Sequence, residues 1–175
     1  MADFGGEAGL ATTVTLKPVG RFFSRAELLE ERRLWKQSGQ KVVFTNGCYD
    51  LLHPGHVRLL EEARSLGDIL ILGLNTDASV QRMKGPSRPL TAETERAATA
   101  GALAAVDAVT FFDEDTPREL IAELLPDVLV KGADWSHFVA GREEVEVAGG
   151  KVITLPLQPG FSTTNFVGLI LGQQP

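Results

Sequence analysis

This sequence predicts an α/β fold: one Rossmann-like domain with a five-stranded parallel sheet and helices on both faces. Five short apolar runs recur along the chain, Val42–Phe44, Ile69–Leu74, Ala108–Phe112, Val128–Val130 and Val152–Leu155. Each is apolar at successive rather than alternate positions, so as a strand it needs cover on both faces. Stretches with helical periodicity and recognisable end signals separate the runs, and such alternation builds parallel sheets.

Residues 1–20 hold Gly, Thr and Ala without a sustained period and read as a flexible N-terminal extension, leaving 21–175 as one domain. Ser24-Arg25-Ala26-Glu27 has the pattern of a capping box, with the Ser24 hydroxyl covering a free amide while Glu27 reaches back. Leu28, Leu29 and Trp35 then share the buried stripe of a helix that stops near Gly39. After the first run, Val57, Leu60, Ala63 and Leu66 mark one face of a second helix, with Gly67 as its C-cap. Glu93–Leu103 is an Ala-rich helix. Thr116-Pro117 opens the next, Thr as N-cap and Pro in the first turn, and it runs to Leu125 before Pro126. Gly141–Ala148 reads as one more, and Ser162-Thr163-Thr164 begins the last.

Seventeen Lys and Arg against 23 Asp and Glu leave a net charge of −6, the wrong balance for a surface that must neutralise a phosphate backbone. A single cysteine forbids a disulfide within the chain. The start, MADFGGEAGLATTV, has acids where a signal peptide has bases, and no apolar run approaches the ~20 residues that span a bilayer. The expectation is a cytoplasmic protein that engages neither nucleic acid nor membrane.

In open parallel sheets ligands bind beyond the carboxyl ends of the strands, where the winding reverses. Thr45–His56, Asn75–Arg88, Lys131–Trp135 and Gln158–Thr164 all follow strands and are the candidate segments. The first is the most informative, because two of the chain's three histidines, His53 and His56, bracket Pro54-Gly55 where a strand hands over to a helix. The first amides of a helix have no internal partners and attract anions. Two imidazoles three residues apart there can donate N–H groups to one phosphate. A histidine near a helix start is more commonly a surface or capping residue. A zinc reading, Cys48-x4-His53-x2-His56, lacks a fourth ligand apart from Asp50, so no metal site is assigned. Between Ala78 and Ala92 there is no acid, yet Arg82, Lys84 and Arg88 all occur, a local cationic arm on an acidic protein.

His53-Pro54-Gly55-His56 matches the HxGH signature of the nucleotidyltransferase superfamily, which includes cytidylyltransferases. Leu66-Gly67-Asp68, Asn75–Val80, Lys84–Pro89, Asp115-Thr116-Pro117, Leu125-Pro126-Asp127, Val130–Asp134 and Gly160–Asn165 follow in order. The series closely resembles the adenylyltransferase domain of the bifunctional ADP-heptose synthases, across residues 24–170. The resemblance implies transfer of AMP from ATP to a sugar 1-phosphate such as D-glycero-D-manno-heptose 1-phosphate, by direct in-line displacement with magnesium. It assigns phosphate contacts at the reacting centre to His53, His56 and Lys84. Nucleotide contacts fall to Thr45, Asn46, Gly47, Cys48, Tyr49, Asp50, Gly55, Arg88, Lys131, Gly132, Asp134, Ser162, Thr163 and Thr164. Asp50 and Asp134 are possible indirect magnesium ligands, and Trp135 flanks the site or sits in a core. It further implies a homodimer and a separate sugar kinase upstream. Many relatives place a base three residues after the final Ser/Thr, whereas Thr164 here is followed by Asn165, Phe166 and Val167. A cytidylyltransferase acting on glycerol 3-phosphate or another polyol phosphate, and a non-catalytic nucleotide-binding module, are the alternatives.

Overall fold

The computed structural model describes residues 21–133, 138–156, 161, 163–170 and 172. The elements are β1 (Arg21–Phe22), α1 (Arg25–Gln37), β2 (Val42–Gly47), α2 (Pro54–Arg64), β3 (Ile69–Asn75), α3 (Asp77–Lys84) and α4 (Glu93–Gly101). There follow β4 (Ala108–Phe112), α5 (Arg118–Leu124), β5 (Val128–Gly132), α6 (Arg142–Val147), β6 (Lys151–Leu155) and α7 (Thr163–Ile170). All strands are parallel, in the order β1-β4-β3-β2-β5-β6.

The five expected strands form the body of this sheet. A sixth, two-residue strand joins the β4 edge, where Phe22 packs on Phe111 with ring centroids 4.8 Å apart. Two residues are too few to show a period, so β1 is visible only through its partner. From β2 the chain steps to β3 and β4 on one side, then crosses back to place β5 against the other edge of β2. The winding therefore reverses between β2 and β5, and a crevice opens there at the carboxyl ends.

Successive residues of each strand serve opposite faces. Val42 and Phe44 join Ile71, Leu129 and the α1, α5 and α6 residues Leu28, Trp35, Leu120, Leu124 and Val145. Val43, Leu70, Leu72, Leu74, Val128 and Val130 join Leu60 and Ala63 of α2 and Ala97 and Ala100 of α4. Each buried Leu, Ile, Val or Phe contributes roughly 1.5–3 kcal/mol, so the continuous apolar runs reflect two cores sharing one sheet.

Several helix ends differ from expectation. The capping box of α1 forms, with Ser24 accepting from the Glu27 amide while the Glu27 carboxylate accepts from the Ser24 amide at 2.9 Å. α2 ends at Ser65, not at Gly67. Gly67 has another task, because a Cβ there would lie 2.6 Å from the Lys41 carbonyl oxygen, where the chain enters β3 beside β2. α5 begins after Pro117, so Thr116 is not its N-cap. The segment 77–84, part of the candidate segment Asn75–Arg88 to which the sequence reading assigns no helix, is the helix α3, capped by the Thr76 hydroxyl on the Ser79 amide at 3.1 Å. A threonine cap and one buried valine, Val80, are weak local signals. The proposed extension, residues 1–20, lies outside the described residues. Among the described residues no helix is long and apolar enough to cross a membrane.

Candidate active site

A cavity of about 310 Å³ opens at the carboxyl ends of β2, β3 and β5, within the range of small-ligand sites. Its floor is Thr45 to Tyr49, the end of β2 and the turn beyond it. Gly47 is needed there because a Cβ would lie 2.9 Å from the Tyr49 ring. The turn puts Tyr49 at φ 48°, a left-handed conformation that its burial in the core shared with α2 and α4 holds in place. Asn75 closes the floor from β3, and Lys131 and Gly132 line it from β5. Lys131 Nζ donates to the Asn46 carbonyl at 3.2 Å, bridging the two strands at the winding reversal. Asn46 Oδ1 is buried without a hydrogen-bond partner among the described residues, an acceptor that a ligand donor in the cavity would satisfy.

His53 is the N-cap of α2, and its Nδ1 accepts from the His56 amide at 3.3 Å. That bond places the ring proton on Nε2, leaving an N–H donor. The two imidazoles stack, centroids 3.7 Å apart and 16° from parallel, with Tyr49 beyond His56 at 4.7 Å. On the other side of His53 stand Phe166 at 5.9 Å and Phe161 at 6.3 Å, which brings the start of α7 against the histidine pair. Gly55 permits this packing, since a Cβ would sit 3.1 Å from His53 Nδ1 and 3.2 Å from Phe161 Cβ. Burial pulls both imidazoles below their ordinary range. His56 falls to about 4, chiefly by desolvation, with the nearby charges of His53 and Lys84 adding to the shift. At neutral pH both are therefore neutral donors. His56 lines the cavity, whereas His53 stands behind it in the stack.

The cationic arm resolves into unequal parts. Arg82 pairs with Asp115 at 3.0 Å and with Asp113. Arg88 pairs with Asp50 at 2.6 Å, both side chains largely buried. Lys84, the last residue of α3, lines the cavity and forms no ion pair among the described residues. Asp50 and Arg88 do not line it. The Asp50 carboxylate also accepts from the amides of Leu90 at 2.7 Å and Thr91 at 3.1 Å, so it fastens the segment leading into α4 beneath the turn after β2. Thr163 opens α7, with its N-terminal turn beside His53. Asp134, Trp135, Ser162 and the side chain of Thr164 lie outside the described residues.

Two parts of the site escaped the sequence reading. Arg96 of α4 is 2% exposed, and its guanidinium donates to the carbonyls of Cys48 at 2.6 Å, Asn75 at 2.8 Å and Thr91 at 3.2 Å, and to the Asp77 carboxylate at 2.8 Å. It ties the turns after β2 and β3 to the start of α4. Its one sequence signal is an arginine on the same stripe as Ala97 and Ala100, positions that otherwise face the core. Asp115 and Thr116 line the cavity, although Thr116 reads from sequence as a helix cap and Asp115 is assigned no role there. Phe138 and Met83, both half-exposed, add apolar rim.

A crevice at the winding reversal, edged by the neutral imidazole of His56 and by Lys84, which has no ion pair among the described residues, is the equipment of a nucleotidyltransferase, and fold and cavity together define that class. The chain belongs to the cytidylyltransferase-like family, whose model matches residues 44–167. It is 51% identical over 157 residues to the bifunctional protein HldE of Azorhizobium caulinodans, covering 89% of this chain and 33% of that one. Identity to the HldE of Magnetococcus marinus is 50% over 166 residues, covering 94% and 34%. The chain thus spans about a third of the length of the curated relatives it matches. A crystal structure of the lipopolysaccharide core biosynthesis protein of Thermoplasma volcanium superposes with a TM-score of 0.56 at 28% identity, covering 69% of this chain and 98% of that one. Pantoate-beta-alanine ligase of Francisella tularensis shares the fold, with a TM-score of 0.61 at 16% identity over 85% of this chain and 73% of that one.

Proposed function

We propose that the chain transfers AMP from ATP to a sugar 1-phosphate, D-glycero-D-manno-heptose 1-phosphate or a close analogue, giving an ADP-sugar and pyrophosphate. The observation that carries it is the cavity at the β2–β5 reversal, which His56 and Lys84 both line, in a chain about half identical to HldE proteins. An acceptor phosphate oxygen forms the new bond to the α-phosphorus in line with the bridging oxygen. The bond from the α-phosphorus to that oxygen breaks, and pyrophosphate leaves with the electron pair. Protein groups supply position and charge stabilisation and form no covalent intermediate. The N–H of neutral His56 and the ammonium of Lys84 meet the negative charge that grows on the phosphoryl oxygens. His53 orients His56 through the stack and the capping bond.

Bound magnesium supplies the remaining neutralisation of a triphosphate. Among the described residues no three His, Cys, Asp or Glu side chains gather into a metal site, and the Asp50 carboxylate is committed to Arg88, Leu90 and Thr91. This donor set fits an ion carried in on phosphate oxygens and water. A sugar kinase elsewhere supplies the acceptor, and a homodimer is the expected assembly, to be checked by light scattering.

Pyrophosphate release tests the reading, with ATP and CTP each crossed against heptose 1-phosphate and glycerol 3-phosphate. The expected result is turnover with ATP and the sugar phosphate. The family's cytidylyltransferase-like description favours the second reading, and turnover with CTP and glycerol 3-phosphate in its place would establish that one. ATP binding by calorimetry without pyrophosphate from any pair would leave a non-catalytic binding module.

A further inference from the structure

The cavity is lined by charge of both signs. Its cations and imidazole, Lys84, Lys131 and His56, stand on α3, β5 and α2. Its one carboxylate among the described residues is Asp115, beside Thr116 in the connection from β4 to α5. A carboxylate repels phosphoryl oxygens and accepts hydroxyl protons, so this wall suits an uncharged, hydroxyl-bearing part of a ligand.

The nucleoside is not that part. It belongs at the winding reversal between β2 and β5, where Gly132 and Lys131 are. β4, whose carboxyl end leads to Asp115, lies three strand positions from β5, about 14 Å at the usual strand spacing, so Asp115 and Gly132 reach the cavity from well-separated strands. A second polyol, the acceptor, suits the Asp115 end of the cavity.

Asp115 is also held in place. Arg82 Nε lies 3.0 Å from its Oδ1, and the same guanidinium bonds the carbonyl and carboxylate of Asp113. The Asp115 side chain is 76% exposed, so the pair adds little to folding. Its effect is to orient a carboxylate at the cavity wall. Met83 and Pro117 beside it offer apolar contact to the C–H face of a sugar ring.

Resting on the reading of the site as a sugar-phosphate nucleotidyltransferase, we infer that Asp115 is the specificity-determining residue for the acceptor. With Thr116 it receives the hydroxyls of the sugar whose phosphate meets Lys84 and His56. Arg82 is its positioning residue.

The test is steady-state kinetics of Asp115→Asn and Asp115→Ala with ATP and either heptose 1-phosphate or mannose 1-phosphate, which lacks the seventh carbon and its hydroxyl. Losing a charge-assisted hydroxyl contact is expected to raise the KM for the heptose phosphate about tenfold or more, to leave the KM for ATP unchanged, and to narrow the heptose-over-hexose preference. Arg82→Met is expected to move the same parameters in the same direction, by less. An unchanged acceptor KM, or a KM for ATP rising in step with it, overturns the inference. Wild-type protein that releases pyrophosphate with neither sugar phosphate would instead overturn the functional reading on which it rests.

Discussion

The imidazoles of His53 and His56 lie face to face, 3.7 Å between centroids, with the His53 Nδ1 accepting the His56 amide. A proton added to either ring faces its neighbour across that distance and the aromatic walls of Tyr49 and Phe166. Burial first, and for His56 the neighbouring charges of His53 and Lys84, keep the rings neutral where solution imidazoles begin to charge.

That neutrality has a sign and a pH window. The folded value for His56, about 4, lies below its ordinary 6.5, so the unfolded chain binds protons first as pH falls. The stability tied to a neutral His56 is complete above the ordinary value and is lost as pH falls toward the folded one, roughly 2–3 kcal/mol in all. Thermal melts are expected to show the midpoint falling over that window, with a shallower fall in His56→Gln. Pyrophosphate release by the wild type is expected to show no titration of His56 between about pH 6 and 8.

Arg96 makes a different kind of prediction. Arg96→Met strands three carbonyls and leaves the partly exposed Asp77 carboxylate without its partner, a loss of about 3–5 kcal/mol by urea unfolding. Arg96→Lys keeps a charge for Asp77 but cannot span Cys48, Asn75 and Thr91 together. It is expected to fold with kcat reduced about a hundredfold, since small misplacement of the cavity floor suffices. A lysine variant with wild-type kcat would show that Arg96 only stabilises the fold.

For Arg88 the ion pair with Asp50 decides between two roles. As a structural partner of a carboxylate whose side chain is 1% exposed, its replacement by Met is expected to cost about 2–4 kcal/mol of stability and leave the KM for ATP nearly unchanged. A KM for ATP raised tenfold at unchanged stability would restore the role of phosphate contact that its sequence position suggests.

Lys84 reverses that pattern. It is exposed and unpaired among the described residues, so Lys84→Met is expected to leave the melting temperature alone. Its loss from the cavity wall is expected to lower kcat/KM about 10²–10³-fold, read by pyrophosphate release. A variant as active as wild type would remove Lys84 from the site.

Local chemistry explains what was legible beforehand. The β-branched and aromatic runs could only be strands covered twice, because any one-sided sheet would leave half of each run in water. Ser24 and Glu27 declared the first helix through a bond that needs only four consecutive residues. The segment TNGCYD and the HPGH turn announced a strand-to-helix junction with imidazoles at its mouth for the same reason. Helix α3 was harder to see, since eight residues with one buried valine carry little periodic signal.

By itself the sequence determined the parallel sheet, the order of its main elements and the junction at which phosphate is expected, since each depends on residues close together in the chain. Only the tertiary structure decided which charges remain available. Arg82, Lys84 and Arg88 look equivalent in sequence, yet Asp115 and Asp113 engage the first, and Asp50, 38 positions before Arg88, engages the last. Likewise Arg96 is one more helical arginine until Cys48 and Asn75 arrive from two strands to meet it. Electrostatic pairing acts through space over a few ångströms, so the partner that settles a charged residue's role can lie anywhere along the chain.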